Sequence, residues 1–553
     1  MKINKIYIVG GGISGLTAAY ELSKRYEHFD ISLFEQFPQI GGKMQAYQIK
    51  NGCYAEHGFR IYMEQYSNLF SMFKEIGITL ENFRAIRFPI QEVVKIIGNR
   101  KYFIFEFIIE IIKLLYISLF FTFSCQEKID KHKNLFNYSK ILNYTHLSLW
   151  PAAKSYTGHS YRLTSNFLLL NTFLHISSLL PYFNLVNDGY LYMANNNTDS
   201  AIIDKFRKYF SQKKNNGKPK CEIYVNTCVT DYIIDNKRII EFKTKNQISN
   251  IEEKFTINNN DFILFAGQSS DIPASLSNNC SLFKKALLLP RKAYNSVTLY
   301  LSCNKEFKLP TILAQHPWKI TVQVYDKTTW TNWGENNDSG YIDGNHISTI
   351  ISCIVSGTNI PDNKNRIFNK CTKKEICEII SEFVVKNTKI SRDDIVDFDV
   401  DSSITFDDKG YIIDNKLTML SLDEKDLENM TGPSSEITNL AKCGTWTHNQ
   451  ISDNSYEYIP EETMETACIT GKHAANYILK KYNLTPTKLL LSEESPIISK
   501  SSKYLIICIK FIRNIDRFLF LYKQSIKTEI IRTINPIKTE LIRIINPIKK
   551  KIE

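Results

Sequence analysis

Lys5-Ile6-Tyr7-Ile8-Val9-Gly10-Gly11-Gly12-Ile13-Ser14-Gly15 is the stretch that decides the fold. A β-type run enters a glycine turn, a helix-patterned stretch continues to about Arg25, and a second apolar run, Ile31-Ser32-Leu33-Phe34, ends at Glu35. Strand, glycine turn, helix and acidic strand end, in that order, make up the dinucleotide-binding fingerprint. Gly10 permits the tight turn, Gly12 lets the backbone approach a pyrophosphate, and Gly15 lets the helix pack on the sheet. The helix N-terminus then offers free N–H groups and partial positive charge to phosphate. Glu35 follows Gly15 by 20 residues, where a carboxylate accepts ribose hydroxyls and repels a 2′-phosphate, which argues against NADP.

The fingerprint alone does not separate FAD from NAD. Gly41-Gly42-Lys43 adds a second glycine pair suited to a loop running over the same pyrophosphate, and this favours FAD. The N-terminal cofactor set is therefore Gly10, Gly12, Ile13, Ser14, Gly15, Glu35, Gln36, Gly41, Gly42 and Lys43.

These residues, with Tyr54-Ala55-Glu56-His57-Gly58-Phe59-Arg60, resemble the N-terminal part of the flavin-containing amine oxidase superfamily, especially its phytoene desaturase-like branch. Asn439 to Thr447 and Met464 to Ala475 resemble that superfamily's closing flavin-contacting strand, loop and helix. Ile223 to Val229, a turn at Asp235-Asn236-Lys237 and a β run through Phe242 resemble the hairpin whose valine backbone meets the adenine. Asp261 to Gly267 resembles the strand returning to the cofactor domain. The resemblance spans roughly 1–90, 190–270 and 430–480. It implies that Gly58, Val229, Gly444, Thr445, Met464 and Ala467 join the FAD site. It also implies that Glu56, His57 and Arg60 pass close to the isoalloxazine as candidate catalytic residues, with a structural ion pair around Gly58 as the other reading. Two positions depart from the pattern. Gly444-Thr445 stands where desaturase-like members carry Gly-Asp and amine oxidases often carry Gly-Thr. Thr466 replaces a glycine at the start of the last helix, where a β-branched side chain is expected to crowd the ring.

At 553 residues the chain exceeds one ordinary domain. The expected fold class is α/β: a Rossmann-type FAD-binding domain with an inserted α+β substrate domain and a basic amphipathic C-terminal tail. The pieces are 1–90, 201–290 and 431–482 for the FAD domain, 91–200 for a membrane-facing substrate region, 291–430 for the substrate sheet, and 483–553 for the tail. In that sheet the strands are expected at Ser296–Ser302, Ile320–Val324 and His346–Val355, and a helix at Lys373–Val385. Trp318, Trp330, Trp333, Tyr325 and Tyr341 wall an apolar pocket or pack a core. The 12 cysteines form no CxxC pair, so no metal site or redox dithiol is expected. Lys2 leads directly into the first strand, leaving no room for a cleavable leader, and a cytoplasmic, membrane-associated protein is expected.

Of the net charge of +12, residues 500–553 carry 13 Lys+Arg against 4 Asp+Glu. Lys527–Ile537 recurs as Lys538–Ile548, an eleven-residue repeat, and Lys503–Leu521 has a basic amphipathic pattern. A solvated or self-docked helix and attachment to an anionic membrane face both fit; nucleic acid does not, because isoleucine dominates. Tyr102–Phe123 is long enough to span a bilayer, but Glu106, Glu110 and Lys113 recur on one face. An in-plane helix or a buried core helix fits better. Asn166–Val186 lines a lipid tunnel or packs beneath it.

The resulting expectation is an FAD oxidoreductase that desaturates, or otherwise oxidises, a long apolar isoprenoid-like or other lipid substrate. With no second fingerprint for NAD(P)H, a quinone or oxygen is the expected electron acceptor. A flavin amine oxidase, a flavin-using isomerase and a membrane-surface flavoprotein scaffold with little catalysis are the alternatives.

Overall fold

The computed structural model describes, with short interruptions, residues 3–86, 191–289 and 297–503. Tyr102–Phe123, Asn166–Val186 and the tail beyond residue 503 lie outside the described residues.

A five-stranded, all-parallel sheet forms the centre. Its strand order is Leu440–Lys442, Phe262–Phe265, β1 (Asn4–Val9), β2 (Phe29–Phe34) and Glu222–Tyr224. Three stretches far apart in the sequence thus close one sheet. β1 is apolar on both faces because both are covered, as parallel sheets require. Ile6 and Ile8 pack under α1 (Ile13–Ser23) and the last helix, Met464–Lys481, whereas Tyr7 meets Phe34 and Phe242 on the other side.

The two helices approach so closely that a Cβ at Gly471 would sit 2.3 Å from the Ser14 carbonyl oxygen. That contact seats the C-terminal helix against the turn after β1.

The Ile223–Val229 run, expected as one arm of a hairpin, divides at Asn226, which takes φ 52°. Glu222–Tyr224 joins the parallel sheet, and the hairpin begins only at Thr227. Thr227–Asp235 pairs with Arg238–Asn246, and Glu252–Thr256 adds a third antiparallel strand. Asn236 and Lys237 at the turn both have positive φ, as a tight hairpin requires.

A four-stranded antiparallel sheet runs in the order Ile320–Tyr325, Thr349–Val355, Val297–Cys303, Ile395–Val400. Helix Lys373–Asn387 covers it, with Ile376, Ile379, Ile380 and Val384 buried on one stripe. Thr372 and Glu375 close a capping box at the helix start. The expected strand from His346 starts at Thr349 instead, because Asn345–His346 pairs in a separate small bridge. Of the aromatic set, Trp318 packs with Phe368 in the core of this sheet, and Trp330 stacks on Tyr325 at 4.4 Å. Both tryptophans are core residues.

Candidate functional site

The turn after β1 is built by two glycine segments that cross. The Gly41 N–H donates to the Gly11 carbonyl at 2.8 Å, and Gly12 and Gly41 form an isolated parallel bridge. A Cβ on Gly42 would lie 3.0 Å from the Gly12 Cα. The crossing therefore leaves bare backbone on both sides of one narrow cradle. Gly12 is also the N-cap of α1 and supplies no side chain to the first-turn N–H groups, so these remain available to an anion.

Glu35 sits 5% exposed at the end of β2. Its Oε2 accepts the Gly11 N–H at 2.7 Å and its Oε1 the Phe37 N–H at 2.9 Å. Burial pushes this carboxyl above its ordinary range, and the backbone donors oppose the shift. Glu35 thus pins the glycine turn and keeps remaining lone pairs on the cleft that it lines.

The cleft has a cavity volume of about 230 Å³. It brings together Gly10, Gly12, Ile13, Ser14, Glu35, Gln36, Gly41, Gly42, Lys43, Val229, Gly444, Thr445, Met464 and Ala467 from the sequence-based set. Gly15 and Gly58 stand apart. Gly15 is packed inside the fold, where a Cβ would come within 2.0 Å of the Gly10 carbonyl oxygen, and Gly58 occupies an open turn at φ 77°. Gly444, at φ 137°, has the Trp446 indole against it, and that indole donates to the Gly267 carbonyl at 2.9 Å. Thr470 of the last helix ties the two ends of the cleft. Its hydroxyl lies 3.2 Å from that of Ser14 and accepts the Gly444 N–H at 3.3 Å.

The three candidate catalytic residues separate. Arg60 lines the cleft, donates to the Lys43 carbonyl, and lies 3.3 Å from the Glu56 carboxylate. Glu56 and His57 do not line it. Glu56 is buried, and its oxygens accept the Thr198 N–H at 2.7 Å and the Thr198 hydroxyl at 2.8 Å. Burial raises its carboxyl, while Arg60 and Thr198 pull it back. His57 Nδ1 lies 2.6 Å from Oδ2 of Asp401, which follows strand Ile395–Val400 of the four-stranded sheet.

Thr466 does not crowd the cleft. Its hydroxyl lies 2.9 Å from that of Thr463, the N-cap of the last helix, which accepts the Thr466 N–H at 3.0 Å. Thr463, Met464 and Ala467 face the cleft in its place. The sequence reading missed Thr463, although a threonine ahead of a helix pattern is a capping signal. It also missed Gln268, Asp271 and Leu417 of the lining, whereas Thr227, Cys228 and Trp446 lie in stretches tied to the cofactor by resemblance without being singled out. Only the folded chain brings these to the glycine turn.

Residues 8–76 match the NAD(P)-binding Rossmann-like domain family. The N-terminal segment is similar to that family over these residues. Over 84 residues, or 15% of this chain, it is 37% identical to the carotenoid phi-ring synthase of Chlorobaculum tepidum. Over 73 residues, or 13% of the chain, it is 34% identical to the zeta-carotene desaturase of Zea mays. The matches span only 13% and 12% of those two proteins. An oxidoreductase structure from Methanosarcina mazei aligns over 84% of this chain and 98% of its own, at 12% identity and a TM-score of 0.48. Among the described residues no helix is long and apolar enough to cross a membrane.

Proposed function

We propose that this chain is an FAD-dependent oxidoreductase that removes hydrogen from a long apolar, isoprenoid-like or other lipid substrate. The observation that carries the reading is the double glycine cradle. Gly12 and Gly42 face each other bare, Glu35 closes one end, and the uncapped start of α1 faces the gap. A single glycine turn suffices for a mononucleotide, whereas a second glycine segment over the first suits an extended dinucleotide held from both sides. The carotenoid enzymes that share the N-terminal segment support the substrate class.

In this reading Glu35 orients the ribose, and the N–H groups after Gly12 bind the pyrophosphate. The start of the last helix, at Met464, directs its partial positive charge toward the ring end. Lys43 and Arg60 place cationic side chains along the same wall. Bound flavin supplies a hydride acceptor; the protein supplies orientation and dryness. A quinone or oxygen takes the electrons onward, and membrane contact through Tyr102–Phe123 and the 500–553 tail delivers the substrate.

A flavin amine oxidase is the second reading, favoured by Gly444-Thr445 at the cleft. Absorption spectra of the chain in mild detergent, before and after anaerobic addition of a lipid extract, test the proposal. Flavin bands that bleach with the extract support it. Bleaching by small amines alone supports the oxidase, and a colourless chain that takes up no FAD overturns both.

A further inference from the structure

His57 and Asp401 belong to different parts of the fold, yet their side chains are in direct polar contact. His57 follows strand Tyr54–Glu56 of the cofactor domain, and Asp401 follows strand Ile395–Val400 of the inserted sheet. Nδ1 and Oδ2 are 2.6 Å apart, with the Asp401 side chain 1% exposed and that of His57 12% exposed. Asp401 is oriented in turn. Its Oδ1 accepts the Ser403 N–H at 2.9 Å, and the Tyr300 hydroxyl lies 3.3 Å from Oδ2. Tyr300 donates to the Glu56 carbonyl, and the Tyr47 hydroxyl donates to Tyr300, both at 2.8 Å. Two sheets and the turn bearing His57 are thus knit around one buried carboxylate.

We propose that Asp401 is a positioning residue that holds His57 with Nδ1 bonded inward and Nε2 outward as the proton acceptor beside the cofactor cleft. This deepens the FAD oxidoreductase reading and rests on it.

The tautomer follows from the acceptor. Burial alone would raise the Asp401 carboxyl, but the His57 ring and the Ser403 donors hold it down to about 2. An ionised carboxylate only accepts, so Nδ1 carries the proton and a neutral ring keeps its lone pair on Nε2. The contact with Asp401 engages Nδ1 and leaves Nε2 on the far side of a ring that is 12% exposed. Three residues on, Arg60 lines the cleft, and the His57 N–H donates to the Gln45 carbonyl beside Lys43 and Met44 of its wall. The other charged groups of the turn, Glu56 and Arg60, are engaged with each other. Among the described residues Asp401, Tyr300 and Tyr47 face the ring from the other elements, and burial keeps both phenols protonated. In a desaturation one carbon would lose a hydride, for which a bound flavin would supply the oxidant. The neighbouring carbon would give its proton to Nε2, and the electron pair of that second C–H bond would become the C=C bond.

The test uses the full chain incubated with FAD and treated with diethyl pyrocarbonate near ~pH 6, with modification followed peptide by peptide. Asp401→Asn replaces the acceptor-only carboxylate that holds the ring by Nδ1 and is expected to speed His57 modification by about threefold or more. Asp401→Glu is expected to restore the slow rate, and the other histidines stay unchanged. A histidine-15N spectrum of the unaltered chain, assigned with His57→Gln, needs no Asp401 variant and is expected to give the Nδ1–H tautomer for neutral His57. An unchanged rate in Asp401→Asn, or an Nε2–H tautomer, overturns the proposal. With flavin bound, His57→Gln is expected to slow bleaching by the lipid extract by about 100-fold; equal rates also overturn it. Flavin absorption of the same sample reports the FAD reading separately, because both histidine measurements proceed without bound flavin.

Discussion

Replacing Gly12 by alanine separates binding from folding. Gly12 has φ −73° and ψ 175°, which alanine adopts without strain. A Cβ there meets nothing closer than the Gly42 Cα at 4.0 Å, an ordinary van der Waals contact. The cost to the fold is confined to a poorer N-cap, below about 1 kcal/mol. The ligand meets a different surface. A phosphate oxygen bound to the adjoining N–H groups comes within ~2.9 Å of a donor, whereas a methyl carbon needs ~3.5 Å. The pyrophosphate must therefore withdraw, and FAD affinity is expected to fall about 100-fold, equivalent to about 2.8 kcal/mol. Gly15→Ala provides the contrast. Its Cβ would come within 2.0 Å of the Gly10 carbonyl oxygen, backbone that cannot step aside, so the fold itself loses about 3 kcal/mol or more. Flavin fluorescence titration and urea unfolding of both variants check the pair. FAD binding by Gly12→Ala within threefold of the unaltered chain would refute the reasoning.

Other outcomes follow from single contacts. Asp401 is depressed in the folded chain, so its stabilisation of about 2 kcal/mol is complete above the unfolded value near ~3.9 and disappears as pH falls to about 2. In urea unfolding the stability gap between the unaltered chain and Asp401→Asn is expected to close between those limits; a constant gap would contradict the pairing with His57. Glu465 accepts the Asn68 and Leu69 N–H groups, both at 2.9 Å, at the start of helix Ser67–Glu75. Glu465→Gln is expected to cost about 1–3 kcal/mol in thermal unfolding, because one inward oxygen becomes a donor facing donors. Thr466→Gly is expected to lower stability by about 1 kcal/mol while FAD affinity stays within twofold, since the threonine side chain serves the helix cap.

The β1, α1, β2 unit was legible because every local signal agreed: an apolar strand, glycines where backbone must approach backbone, and an acid at the second strand's end. The helix Lys373–Asn387 was legible for the same reason, through its apolar spacing. Glu222–Tyr224 was misread because its apolar run continues into the hairpin, and only the left-handed Asn226 separates them. Strand Ile395–Val400 escaped because acidic residues interleave its apolar ones, and it is only partly covered until Val400. In the site, residues near the glycines in sequence could be named in advance. Asp401 could not, because its partner lies 344 residues away and no local pattern marks a carboxylate destined for burial. Thr466 was placed correctly at the start of a helix but given the wrong surroundings, since its rotamer is set by Thr463 rather than by the cleft.

Titration of the purified chain, stripped of any bound nucleotide, with FAD and separately with NADH tests the central claim most directly. Saturation at one FAD per chain, with visible flavin absorption and no competition from NADH, is the expected result. Saturable NADH binding with no uptake of FAD would contradict the account.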